Sequence, residues 1–308
     1  MTAATPTGSP PPTLASAGPS LGRRLATWLY QRPRTQLGLL LSAPLGWLVI
    51  AYLGSLAILF INAFWQVDPF TRNIVYEPTL DNFARLVTTE VYRNVTIRTL
   101  AIAAAVTITD ALIALPIAYY MARVASPRLR GWLVVAVLIP LWSSYLVKVF
   151  AWRIILQENG PLNAFLRPLG LEAPDVAAGE IRLWICCSYL WLPYMILPLF
   201  AGFERIPSSL IEASGDLGAR SATTFRRVIL PLVFPAIVAG SIFTFSLTMG
   251  DYIAPGQLSR VQFIGNVVQS NVGIAGDLPF AAAFAIVPVI VMIGYLLVAR
   301  RLGAFESL

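Results

Sequence analysis

Six stretches of this chain run for membrane-crossing lengths with almost no charge. A helix needs about 20 mainly apolar residues to cross the hydrocarbon core of a bilayer, and inside that core every backbone N–H and C=O must find its partner within the protein. The intervals lie between Arg34 and Asp68, Arg98 and Arg123, Arg130 and Lys148, Arg182 and Glu204, Arg227 and Asp251, and Asp277 and Arg300. Asp110 alone interrupts the second. Their Leu, Ala, Ile and Val, with scattered Gly and Pro, lack the strict alternation of a lipid-facing strand. The expected fold class is therefore an all-α membrane protein, a bundle of six transmembrane helices.

Arginines in short connections mark the cytoplasmic side. The link between the second and third intervals, "MARVASPRLRG", holds Arg123, Arg128 and Arg130 and no acid, Arg300 and Arg301 follow the sixth, and Arg23, Arg24, Arg32 and Arg34 precede the first. Both termini are thus expected in the cytoplasm. The net charge of +7 sits at membrane ends and makes no basic face, which argues against a nucleic-acid partner. Histidine is absent, removing the commonest general base and metal ligand. Cys186 and Cys187 are adjacent and poorly placed to staple a loop. The expectation is no catalytic residue and no metal or cofactor site in this chain. Three regions are expected: a disordered cytoplasmic tail over 1–36, the helical domain over 37–303, and a short tail over 304–308. The first 20 residues carry no charge, and they lack the order of a secretory signal.

Between the first two intervals, "TLDNFARLVTTEVYRN" puts Leu80, Phe83, Leu86 and Val87 on one helical face. It reads either as an amphipathic helix at the outer surface or as a short helix packed on the bundle. In the loop over 154–181, Gly160-Pro161 and Gly170 punctuate a turn, a short helix and a second turn. "QFIGNVVQSNV", before the last interval, reads as a short interfacial helix or a re-entrant element. Trp65, Trp152 and Trp184 near outer ends and Trp132 near an inner end fit an interfacial belt.

The most polar connection is "ERIPSSLIEASGDLGARS", in a loop over about 205–229. Pro207, Ser208 and Ser209 suit a helix start. Leu210, Ala213, Ser214 and Leu217 recur at helical spacing, Glu212 and Asp216 form an i, i+4 acidic pair, and Gly218 is placed to end the helix. Pro231 and Pro235 are expected to open the fifth span. The segment resembles the signature of bacterial ATP-binding-cassette importer permeases: Glu-Ala-Ala, three residues, Gly, nine residues, Ile, one residue, Leu-Pro. Here it reads Glu212, Ala213, Ser214, then Gly218, then Val228, then Leu230 and Pro231. Serine for the second alanine and valine for isoleucine are the departures.

That resemblance implies a type I importer permease whose short helix docks on a separate ATPase subunit, with Leu210, Glu212, Ala213, Ser214, Asp216, Leu217, Gly218, Leu230 and Pro231 as coupling residues. ATP and Mg would lie on the ATPase. This chain supports that division, because a phosphate-cradling loop needs Gly-Lys-Ser/Thr and the only lysine is Lys148, in "YLVKVF". The implied partners are ATPase subunits, a second permease subunit of different sequence, an extracytoplasmic substrate-binding protein and the lipid of a bacterial cytoplasmic membrane. Over about 37–303, "LIPLWSSYLVKVFAWRIILQENGPLN", "YLWLPYMILPLFAGFERI" and "FIGNVVQSNVGIAGDLPFAAA" are similar to spermidine/putrescine permeases. The implied solute is a polyamine or a related small polar molecule. The alternative, a carrier or channel independent of any ATPase, would favour inverted repeats, and none is visible.

Candidates for the path are Asp110, Trp142, Tyr145, Trp152, Asp251 and Tyr252. An ionisable group inside a span marks a functional site by default, so Asp110 reads as a cation-path carboxylate or, alternatively, as a helix-to-helix hydrogen-bonding group or a protonated acid. Asp251 closes the fifth interval in "MGDYIAP", as a guide for a cation or as an interfacial charge. Trp142, Tyr145, Val149 and Trp152 are expected on one face beside Pro140, a kink in the third span. Their aromatics either meet an alkylammonium through cation–π attraction or pack helices together. Lys148 is expected on the adjacent face, available to an acidic patch of the binding protein.

Overall fold

Charge-free runs become helices because a ladder within the segment is what satisfies their backbone away from water. The computed structural model describes residues 30–31, 33–157, 159–169, 179–259 and 261–301. Most of the expected tail over 1–36, the turn at Gly170 and the tail over 304–308 lie outside these residues. In chain order the elements are α1 (Thr35–Asn62), a hairpin of β1 (Gln66–Val67) and β2 (Ile74–Val75), α2 (Asp81–Thr88) and α3 (Glu90–Val124). Next come α4 (Pro127–Trp142), α5 (Tyr145–Ile155), α6 (Pro161–Leu166), α7 (Gly179–Glu204) and α8 (Ser208–Asp216). The chain continues with α9 (Ser221–Gly250), α10 (Ile253–Leu258), α11 (Ile264–Ser270) and α12 (Leu278–Arg301). Among the described residues five helices are long and apolar enough to cross a membrane, and α4 with α5 makes a sixth when the bent pair is taken as one span.

The chain divides into two units, one ending at Ile58 and one beginning at Leu59. In the first unit, α1 exposes Leu40, Trp47, Ile50 and Tyr52, as a helix solvated by lipid does. The second unit is built on α3, α7 and α9. Helix α3 buries Val95, Thr99, Ala103, Val106, Asp110, Ala114 and Ala118, a three-to-four-residue stripe dominated by small side chains. Small residues let transmembrane backbones approach closely, which strengthens dispersion contacts where no hydrophobic drive exists between helices. Below this stripe Met121, Met195, Leu199, Phe203, Ile229 and Val233 fill the remaining volume.

Several details depart from the sequence expectation. The fifth span does not open at Pro231. Helix α9 begins at Ser221, and a π-helical turn over Phe225–Ile229 precedes Leu230 and Pro231, closed by the Leu230 N–H donating to the Phe225 carbonyl. Proline crowds the carbonyl four residues back, and a wider turn is one way a helix absorbs that mismatch. The third span bends near Pro140 as expected but further than a kink, breaking by 92° between α4 and α5. Ser143 and Ser144 there adopt extended backbones, with ψ of 149° and 130°. Trp142 therefore does not share a face with Tyr145, Val149 and Trp152. The hairpin was not expected from the sequence; it turns at Asp68, whose Oδ1 accepts the Phe70 and Thr71 amides at 2.8 and 2.9 Å.

The loops of the hairpin end fold onto the bundle. Phe83 and Leu86 of α2 pack beside Ala63, Ala282 and Ala283, while Leu80 and Val87, 66% and 72% exposed, leave the expected face. Asn82 Nδ2 pins the helix by donating to the Ala63 and Trp65 carbonyls at 3.0 and 2.7 Å. Helix α11 packs one face on the bundle: Ile264 and Val267 are buried, and the Ile264 N–H donates to Thr99 Oγ1 at 3.1 Å. Trp184 likewise reaches inward, its Nε1 donating to Thr109 Oγ1 at 3.1 Å.

Candidate functional site

At the break between α4 and α5, the last carbonyls of one helix and the first amides of the next lack helical partners. Lys148 Nζ reaches back across the bend and donates to the Pro140 carbonyl at 2.9 Å, and Ser143 Oγ donates to the same oxygen at 2.8 Å. A cation at a helix C-terminus is favourable. The ammonium expected to face a binding protein is therefore engaged within the chain.

The bend turns Tyr145 towards the end of α9. Its hydroxyl donates to Asp251 Oδ2, while Asp251 Oδ1 accepts the Ile253 and Ala254 amides at 2.9 and 3.2 Å. Asp251 thus caps α10 with one oxygen and holds a phenol with the other. A carboxylate offers about four lone-pair sites, so three donors leave room for one more. A cleft of about 340 Å³ opens here, lined by Tyr145, Trp191, Ser246, Asp251 and Tyr252 among others.

Aromatic rings extend the cleft along α7. Tyr145 stacks on Trp191 with centroids 5.8 Å apart, Trp191 meets Tyr194 at 6.0 Å, and Tyr194 meets Phe243 at 6.3 Å. Trp191, Tyr194 and Phe243 were not singled out from the sequence. The i, i+3 spacing of Trp191 and Tyr194 was the available signal, but only the bend of α4 and α5 brings Tyr145 to them. Trp142 is 91% exposed and outside this group. Trp152 packs with Val149 and, at 5.3 Å, with Tyr189. Asp110 is fully buried in the α3 stripe, and neither of its oxygens meets a hydrogen-bond donor among the described residues. The interhelical hydrogen bond considered for it is not formed.

The polar loop forms a second region. Helix α8 ends in a Schellman arrangement: Gly218, at φ +78°, donates to the Gly215 carbonyl at 2.8 Å, and the Ala219 N–H donates to the Ser214 carbonyl at 3.1 Å. No residue of α8 is buried. Ile211 leans on the apolar cluster below α3, α7 and α9, whereas Leu210 and Leu217, 44% and 88% exposed, face away from it. Glu212 and Asp216 are exposed on the helix flank. Apolar side chains outward, with acids beside them and the helix end locked, make a surface suited to another protein.

Arginines stiffen the base of this loop. Arg123 donates to the Phe203 carbonyl at 2.6 Å and to that of Ile206, and Arg130 donates to the Met121 and Ala122 carbonyls at 3.1 and 2.8 Å. Arg130 also pairs with Glu204 at 3.0 Å. The arginines read as orientation signals therefore also cap the ends of α3 and α7. A cleft of about 360 Å³ between α7 and α9, lined by Pro198, Gly202, Arg205, Leu232 and Ala236 among others, carries no acid. It lacks the chemistry of the cleft at Asp251.

A family model described as the binding-protein-dependent transport system inner membrane component matches residues 114–305. The inner membrane ABC transporter permease protein YdcU of Escherichia coli (strain K12) is 43% identical over 304 residues, covering 94% of this chain and 96% of that protein. The spermidine/putrescine transport system permease protein PotB of Haemophilus influenzae is 34% identical over 212 residues, or 68% and 73% of the two chains. Among solved structures, a chain of a bacterial ABC transporter involved in the import of the acidic polysaccharide alginate superposes with a TM-score of 0.66 at 18% identity, covering 90% of this chain and 99% of that one. At that identity the likeness speaks for the fold.

Proposed function

This chain belongs to the family of binding-protein-dependent transport system inner membrane components, and from that premise we propose that it carries a small organic polycation of the spermidine or putrescine kind through the cleft at Asp251. The observation that carries the reading is a buried carboxylate set among aromatic faces at the end of a membrane-spanning helix. Carboxylates pair with ammonium groups, and aromatic faces attract them through the ring quadrupole, by ~0.5–2 kcal/mol per contact. The name of the PotB relative supports the same class.

The coupling reading rests on α8. Its outward Leu210, Ala213 and Leu217, flanked by Glu212 and Asp216, form the surface on which a separate ATP-hydrolysing subunit docks. The arginine-rich end, with α8 and both termini, faces the cytoplasm, and a binding protein delivers solute at the hairpin end. A second permease subunit of different sequence completes the path. ATP and Mg belong to the ATPase.

The test is reconstitution of the complete complex in vesicles with ATP inside and the binding protein outside. ATP-dependent uptake of spermidine or putrescine is expected, with no uptake of an uncharged polyol of similar length. Uptake of the polyol but neither amine would discard the polycation. Amine uptake by this chain alone, driven by an ion gradient, would discard the ATPase.

A further inference from the structure

Ser214 stands where the family pattern has alanine, and its extra oxygen is engaged. Its hydroxyl and that of Thr224 lie 2.9 Å apart, joining the middle of α8 to the first turn of α9. Thr224 is buried at this contact. Ile211, one turn earlier on the same face, packs in the cluster that holds Phe225 and Ile229. The main tertiary contacts of α8 fall on Ser221–Thr224 and Phe225–Ile229.

The other attachment of α8 differs. Towards α7 the backbone is held as far as Ile206, whose carbonyl Arg123 takes. Pro207 then passes in extended conformation, φ −63° and ψ 136°, into α8. Among the described residues no side-chain hydrogen bond joins α8 to α7. One end of α8 is therefore a joint, and the other is fastened to α9.

We propose that Ser214 and Thr224 are positioning residues whose hydroxyl clasp makes α8 and α9 one rigid body hinged at Pro207. The inference rests on the reading that an ATPase docks on α8. A push on α8 then travels the length of α9, roughly 40 Å from Thr224 at 1.5 Å per residue, to Asp251 at its far end.

Paired spin labels in the assembled complex in lipid discs test this. One label sits at Ser209→Cys on α8 and the other at Phe243→Cys on α9, while the native Cys186 and Cys187 are buried. With the clasp intact, the inter-label distance should be a single narrow distribution that is the same without nucleotide and with ATP and vanadate. Ser214→Ala restores the family's alanine, so insertion is not at risk. It and Thr224→Val should each cut the ratio of clasped to unclasped molecules about fivefold, the weight of one net hydrogen bond, giving a broadened distribution that shifts with nucleotide. Thr224→Ser keeps a hydroxyl and should stay narrow. Narrow distributions in Ser214→Ala and Thr224→Val, or a broad one in Thr224→Ser, would overturn the clasp. Broadening in the hydroxyl-free variants that ignores both nucleotide and the presence of the ATPase would leave the clasp standing and refute docking on α8.

Discussion

Replacing Gly218 separates two costs that usually arrive together. Its φ of +78° lies in the left-handed region, and a Cβ built there meets no heavy atom within 4 Å. Alanine therefore adds no clash, only the backbone penalty of ~1–2 kcal/mol for an L-residue in that conformation. Leaving the conformation would forfeit the two closing hydrogen bonds, to Gly215 and Ser214, together ~1–3 kcal/mol. The two are close, so Gly218→Ala should keep the turn at a strain of ~1 kcal/mol, Gly218→Asn should cost less, and Gly218→Val should exceed the worth of the bonds and open it. Because α8 buries no residue, the melting temperature of the bundle should hardly move. The effect belongs to docking. Binding-protein-stimulated ATP hydrolysis by the reconstituted complex should fall in the order Gly, Asn, Ala, Val, and hydrogen exchange of the Gly218 and Ala219 amides should rise in the same order. A valine variant with wild-type stimulation and protection would refute the reasoning, as would alanine outperforming asparagine.

Three further outcomes are expected. Asp251→Asn keeps an acceptor for the α10 amides but loses the charge, so amine uptake should fall at least about tenfold, ~1.4 kcal/mol, with little change in melting. Asp251→Ala should also lower the melting temperature, because the cap, worth ~1 kcal/mol, goes with it; wild-type uptake in Asp251→Asn would remove the carboxylate from the path. Lys148→Met deletes a charge-assisted bond of ~1.5–3 kcal/mol and should raise hydrogen exchange around 143–148 and slow uptake severalfold, with partial recovery in Lys148→Arg. Unchanged exchange would show that the ammonium does not hold the bend. Gly265→Ala would put a Cβ 2.6 Å from the Asp251 carbonyl oxygen and 2.9 Å from its carbon. That overpacking costs ~1–3 kcal/mol, so melting temperature and uptake should both drop, whereas Gly250→Ala, with nothing within 4 Å of its Cβ, should leave both near wild type.

What the amino-acid order determined by itself was local. Charge-free runs of membrane length became helices, since backbone pairing away from water leaves them little choice. The end of α8 was readable because Gly218 and the residues that close on it are neighbours in the chain. The family signature was readable for the same reason, being a fixed spacing along one loop. Tertiary structure decided what neighbours could not. Pro231 looked like a helix start, yet α9 reaches back to Ser221, where Phe225 packs on Tyr119 at 6.2 Å and Thr224 meets Ser214. Lys148 looked available to a partner until the bend at Ser143 and Ser144 brought the Pro140 carbonyl within its reach. Asp251 was legible as a charge at a helix end, but its neighbours Tyr145 and Trp191 lie 106 and 60 residues away in the chain. Such juxtapositions follow from how α5, α7 and α9 meet, and no periodicity within any one of them records that.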